Sequence, residues 1–259
     1  VMRPLRREAV FVSQLVRSHC IEEMLESMQD ALGNITLNEE QLSELQRTFE
    51  SIRPQDALAN VLITERVAVL SFFEDPVRYL ETVGPRPDDL LHRSYNTLIR
   101  TYNTFGGYAE ELEHFLDYAD TIEHSLDLPY PEAQETLTQM AGRGKYQTLF
   151  PSIAGSMIPW LHHMPRMQAL DETRHLQGAT AAAIERYRRE HGATPPGLDA
   201  LTPGYLPDIP RDPFDLQPMR YRREGDGYVL YSIGADSTDN NGACGDNPEE
   251  GDVVFRVQR

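Results

Sequence analysis

The sequence predicts a mostly α protein with a C-terminal α+β module: a helical bundle or array, then a long helix packed on a small antiparallel sheet. Three observations predict it. Apolar residues recur at three- and four-residue spacing through most of residues 5–160. Seven of the 18 prolines crowd into residues 193–218 and mark a change of character. The runs MRYRR and YVLYSI then flank the turn Glu224-Gly225-Asp226-Gly227, which is a β-hairpin signal.

The elements follow in order. Ile21, Leu25, Met28 and Leu32 share one helix face, and Gly33-Asn34 stops that helix. Thr36 and Asn38 are N-cap candidates for a helix over 38–52, which carries Leu42, Leu45 and Phe49. Pro54 suits the first turn of a third helix reaching about Phe73. Asp75-Pro76 and residues 84–87 are breaks, helix 88–104 follows, and Gly106-Gly107 breaks again. Helices 108–126 and 131–141 come next. Pro151, Pro159 and Pro165 punctuate the approach to a long helix that ends at His191-Gly192. A short helix spans Leu198 to Leu201. After the hairpin come a loop rich in Gly, Asp and Asn and a last strand, VVFRV.

Composition narrows the function. The 259 residues carry 41 acidic against 24 basic side chains, a net charge of −17, which argues against nucleic acid and anionic membrane surfaces as partners. Of the 24 bases, 23 are arginine and only Lys145 is lysine. No run of 18 apolar residues is present. The chain opens at Val1 directly into an amphipathic pattern, so it reads as a fragment or mature chain, and any membrane contact is expected through an anchor upstream of it. Cys20 and Cys244 match no metal spacing. They read as two separate thiols or as one disulfide, and a disulfide would need an oxidising compartment.

The order from about 167 to 257 is more specific. It runs IERYRREHG at a helix end, YLPDIPRDPFD, the hairpin MRYRREGDGYVLYSIGAD, an acidic loop and a final strand. This order resembles the periplasmic part of the major pseudopilins of type II secretion, and also a set of planctomycete-type envelope proteins that couple a helical region to the same ending. The resemblance covers about 90 of the 259 residues. It implies a helical domain over 1–150 and a pseudopilin-like module over 151–259. The module would hold a long helix 166–191, a Pro-rich connection 193–218, a hairpin 219–233, an acidic loop 234–252 and a final strand 253–257. A pilin-type helix start is strongly apolar, whereas SIAGSMIPWLHHMPRM stands here, so polymerisation through that helix is not expected.

The acidic loop is the first candidate site. Asp236, Asp239, Asn241, Asp246 and Asp252 alternate with glycines, and hard oxygen ligands on a flexible loop suit Ca²⁺. It is not an EF-hand, because position 12 would be Pro248. The resemblance implies Asp236 and Asp252 as side-chain ligands and the Ile233 carbonyl as a backbone ligand, with Asp239 and Asn241 as further members. The ion would be structural. Against it stands a solvated acidic turn.

Three other groups read as ordinary surface or core. Glu110, Glu113, His114, Asp117, Asp120, Glu123 and His124 crowd one helix without a second Glu-x-x-His to complete a metal site. His162, His163 and His175 lie near Asp171 and Glu172, and Asp171–His175 is an i,i+4 pair able to orient an imidazole. Arg220, Arg222 and Arg223 alternate on the hairpin and fit either an anionic partner or edge-strand solubility. No GxSxG or phosphate-binding glycine loop is present.

The expected function is therefore a non-enzymatic scaffold or interaction protein of the cell envelope. It would be periplasmic or otherwise extracytoplasmic, calcium-stabilised, and in contact with an envelope protein. Two alternatives stay open. One is a hydrolase with a carboxylate site between helical domain and module. The other is a peptide or lipid carrier with a tunnel lined by residues such as Phe72, Phe73, Leu112 and Phe115.

Overall fold

The computed structural model describes residues 11–51, 54–74, 107–141, 161–245 and 250–259. The expected helix 88–104 and Asp246 lie outside the described residues, as does the side chain of Phe72. Among the described residues there are six α-helices and one three-stranded antiparallel sheet. This is the mostly α fold with a C-terminal α+β module.

Helix α1 spans Phe11–Asn34 and buries Ile21, Leu25, Met28 and Leu32, the stripe read from the sequence. Helix α2, Glu39–Glu50, starts at Asn38, whose Oδ1 accepts from the Gln41 amide at 2.9 Å. The Gln41 side chain accepts from the Asn38 amide in return, so two orphan donors are satisfied reciprocally. Helices α3 (Pro54–Glu74), α4 (Gly107–Leu126) and α5 (Tyr130–Ala141) follow. Helix α6 runs Met164–His191. It starts earlier than the proline pattern suggested, because Pro165 sits in its first turn, where a missing N–H costs nothing. Gly192 closes it at φ 78°, donating to the Arg188 carbonyl, in a left-handed conformation that favours glycine.

The sheet is a meander of β1 (Arg220–Glu224), β2 (Gly227–Ser232) and β3 (Val253–Val257), with β2 central. Every residue of β2 is buried. One face, through Tyr228 and Leu230, joins α1, α2 and α6 in the main hydrophobic core. That core takes residues from both sides of position 150, since Ile21 to Phe49 pack with Ala179 to Val257. A second core gathers α3, α4, α5 and the start of α6 around Phe115 and Ile122. Phe115 and Phe73, expected as tunnel walls, pack inside it.

Helix α6 touches all five other helices and the sheet. From Gln177 to Glu185 each of its residues is buried. Its small residues let neighbours approach closely. A Cβ built at Gly178 would stand 2.6 Å from the Phe49 ring of α2. Several of its polar residues are paired: Asp171 takes Arg17 Nη2 at 2.9 Å and Ser18 Oγ at 2.6 Å, both from α1. Gln177 Nε2 donates to the Val253 carbonyl of β3 at 2.7 Å.

Two substitutions test this packing. Gly178→Ala gains about 1 kcal/mol of helix propensity but overpacks by about 1–3 kcal/mol, and Phe49, 1% exposed, has no room to retreat. Urea unfolding should show a net loss, partly recovered when Phe49→Leu is added. Arg17→Met leaves the Asp171 carboxyl buried without its guanidinium, and should cost about 3–5 kcal/mol in the same measurement.

Candidate functional site

The acidic loop connects β2 to β3 and folds back over the second face of the sheet. Gly242 lies against Val229 and Tyr231, so a Cβ there would stand 3.3 Å from Val229. Register explains how the loop is held. Arg222, Val229 and Arg256 form one cross-strand row. Arg222 Nη1 donates to the Asn241 carbonyl at 2.8 Å, and Arg256 Nη2 to the Gly242 carbonyl at 3.0 Å. Two guanidinium forks thus clamp the loop above Val229.

Inside the loop the carboxylates supplement the Cys244–Gly251 bridge and the bond from the Asp252 amide to the Ala243 carbonyl. Asp252 Oδ1 accepts from the Asn240 amide at 3.1 Å and Oδ2 from the Gly242 amide at 2.6 Å. Asp236 accepts from the Thr238 and Gly251 amides at 3.0 and 2.8 Å. Gly234 (φ 69°) begins the loop with its Cα against the Gly251 carbonyl, an approach of 2.4 Å for any Cβ, so only glycine fits.

The five expected ligands therefore fare differently. Asp252 is buried, and no arginine or histidine among the described residues pairs with it. Burial first, and the nearby Asp239 carboxylate in addition, push its pKa up, with the loop amides pulling the other way. Asp236 is exposed, with both oxygens on backbone amides. Asp239 accepts from the Asn241 amide, and its Oδ2 is 3.8 Å from Arg220 Nε. The Asn241 carbonyl is taken by Arg222. Ile233 is buried and donates its amide to Asp212 Oδ2 at 3.0 Å. Among the described residues no three acidic, histidine or cysteine side chains converge on one point. Hard oxygen donors are present, and of the described side-chain carboxylates expected as ligands Asp252 and Asp236 have no competing guanidinium. A calcium ion there would lean on carbonyl oxygens as much as on carboxylates.

Several expectations are corrected. The hairpin arginines are not an open anion surface. Besides the Arg222 contact, Arg220 bonds Asp212 at 2.7 Å and also Asp215, and Arg223 donates to the carbonyls of Pro195 and Thr194. Asp171 does not orient His175; it pairs with α1, while the His175 ring meets Phe49 edge-on at 6.4 Å. His162 Nδ1 instead shares a 3.1 Å hydrogen bond with the Tyr118 hydroxyl. On α4, Asp120 and Glu123 are exposed and share Arg66 at 2.6 and 3.0 Å. Cys20 and Cys244 are free thiols, so the disulfide alternative fails, and with it the compartment argument it carried.

A second site was missed by sequence reasoning. A cleft of about 300 Å³ opens between the α4–α5 turn, α6 and the segment around Arg211–Leu216. Gln168 and Glu172, one helical turn apart on α6, line it together with Leu126, Tyr130, Pro165 and Pro213. Burial raises the Glu172 carboxyl above its usual range, and no hydrogen bond or ion pair holds it among the described residues. Asp212, also at the wall, is fully buried and saturated by Phe214 and Ile233 amides, Ser232 Oγ and Arg220. One perturbed, unpaired carboxyl therefore faces the cleft. The sequence signal was Gln168-x-x-x-Glu172 on the helix face that also carries Pro165, but nothing in it foretold which segment lies opposite.

No protein-family model, curated protein or solved structure matches this chain.

The Glu172 shift has a sign. The folded chain holds a proton that the unfolded chain releases, so stability falls as pH rises from the ordinary glutamate value of 4.5 through the raised one. Glu172→Gln should give a flatter stability curve over about pH 4–7, lying above the parent at neutral pH, in denaturant unfolding across that range.

Proposed function

We propose that this chain is a non-enzymatic scaffold or interaction protein of the cell envelope, whose pseudopilin-like C-terminal module is pinned by a structural calcium ion. The observation that carries this reading is Asp252. It is a carboxylate 5% exposed, held by backbone amides, with a second carboxylate raising its pKa and no cationic side chain against it. A divalent cation shared with Asp236 and loop carbonyls would relieve that arrangement. The order of elements, a long helix on an antiparallel meander with an acidic loop before the last strand, also agrees with the resemblance.

Contact with another protein is supported by the surface of the first helices. Val12, Leu15 and Val16 on α1 and Ile63, Val67 and Leu70 on α3 are exposed apolar side chains on two helices that touch each other. Among the described residues no helix is long and apolar enough to cross a membrane.

Thermal unfolding with excess EDTA, then with Ca²⁺ restored, tests the reading. A ligand that binds only the folded state must raise Tm by mass action. The expected result is a reversible fall of Tm in EDTA that Ca²⁺ restores and Mg²⁺ does not, absent in Asp252→Asn. An unchanged Tm in a fully stripped sample would overturn the calcium assignment.

A further inference from the structure

The cleft beside α6 holds chemistry that the folded chain leaves unused. Gln168 is 8% exposed. Its Nε2 donates to the Leu126 carbonyl at 3.0 Å, which fixes the amide orientation, because a carbonyl can only accept. Its Oε1 is then a buried acceptor with no donor. Leaving such a group unmatched is costly. One helical turn on stands Glu172, half-buried, without a hydrogen bond or a counter-ion. Burial raises its pKa, and among the described residues no cation is paired with it.

The rest of the cleft sorts the ligand. Helix α4 ends here at Leu126, and the carboxyl end of a helix favours positive charge. The other charges near the cleft are Asp212, Arg211, Asp127 and Arg166, the last close enough to act electrostatically on Tyr130. Asp212 has both oxygens bonded, Arg211 is exposed and donates to the Leu216 carbonyl at 3.0 Å, and Asp127 is exposed. Leu126, Leu128, Pro165 and Pro213 supply apolar walls. Of the lining, Tyr130 and Ala169 belong to a small apolar cluster with Phe214 and Ile233, the Tyr130 and Phe214 rings standing edge to face at 4.8 Å. Two acceptors, one of them anionic, in a cleft with these apolar walls match a donor-only cationic head on an apolar body.

We infer that this cleft binds a small primary amine in its ammonium form, with the –NH₃⁺ group between the Glu172 carboxylate and Gln168 Oε1 and its apolar body against Leu126 and Pro213. The inference does not rest on the reading proposed above: among the described residues Glu172 and Gln168 bond nothing in the calcium loop, while Asp212 at the cleft wall accepts from the Ile233 amide.

The test uses the full chain and butylammonium chloride, with butanol, sodium butyrate and potassium chloride at matched ionic strength. Tm is read by circular dichroism. At tenfold above its Kd, butylammonium should raise Tm by about 3–5 °C in a saturable manner. Butanol, butyrate and K⁺ should not. Glu172→Gln should abolish the shift while keeping the native spectrum. Gln168→Leu, which keeps the carboxylate, should weaken apparent affinity several-fold. An equal shift with K⁺ would assign the site to an inorganic cation, and an equal shift with butanol would reduce it to filling of an apolar slot. Either result, no shift at all, or a shift retained in Glu172→Gln, overturns the proposal.

Discussion

The burial of helix α6 on all its sides constrains everything else in this structure. A helix ordinarily offers one apolar stripe to a core and the rest to water. Here the stretch Gln177–Glu185 is buried residue after residue, because α1, α2 and the sheet surround it. Such a helix can satisfy its surroundings in only one way. Its side chains must be small where neighbours come close, as at Gly178 and Ala181–Ala183. Where they are polar, a partner must reach them. Asp171 recruits Arg17 and Ser18, Gln177 recruits the Val253 carbonyl, and Glu185 recruits Arg188 and Arg259. Each pairing fixes a different element against α6: first α1, then β3, then the chain end. The large side chains that supply the hydrophobic energy stand on those neighbours, as Phe49, Leu230 and Phe255.

The arginine bias acquires a physical account from the same geometry. Lysine offers a point charge, whereas the guanidinium offers a planar fork able to bridge two acceptors. Arg220 joins Asp212 to Asp215, Arg259 joins the Leu32 carbonyl to Glu185, and Arg174 joins Ser18 to Glu22. Arg186 reaches both Glu39 and Gln46 of α2. In a chain with 41 acidic side chains these forks take up charge and tie separate elements in one step. The row Arg222–Val229–Arg256 shows the economy of the device: one pleat position on β1 and one on β3 suffice to hold a whole loop across the sheet.

Much of this fold was legible from local patterns. The stripe Ile21–Leu25–Met28–Leu32, the N-cap at Asn38 (one of two candidates), Gly192 and the turn at Gly225-Asp226 each depend on neighbours in sequence, and each stands where spacing put it. Pro165 misled because a proline breaks a helix interior but suits its first turn, and the two cases look alike until the start is known. Partners distant in sequence were not legible. Asp171 lies four residues from His175, yet its partner Arg17 is 154 residues away. The hairpin arginines carried a recognisable alternation, but alternation does not tell whether the face looks at water or at a returning loop. The cleft at Gln168 and Glu172 was invisible for the same reason, since its far wall arrives from residues 211–216.

The acidic loop shows how the charge inventory divides a site. Arg220, Arg222 and Arg256 serve its middle, where Asp239, Asn241 and Gly242 lie. Its two ends are served by carboxylates turned inward, Asp236 to the Gly251 amide and Asp252 to the Asn240 and Gly242 amides. Backbone amides carry only partial charge, so they orient Asp252 without offsetting the full cost of burying it. Protonation, toward which burial already pushes Asp252, or a compact cation would each neutralise that end. The proposed calcium ion thus falls where the sheet's own arginines do not reach, rather than across the whole run of acidic residues that first drew attention to the loop.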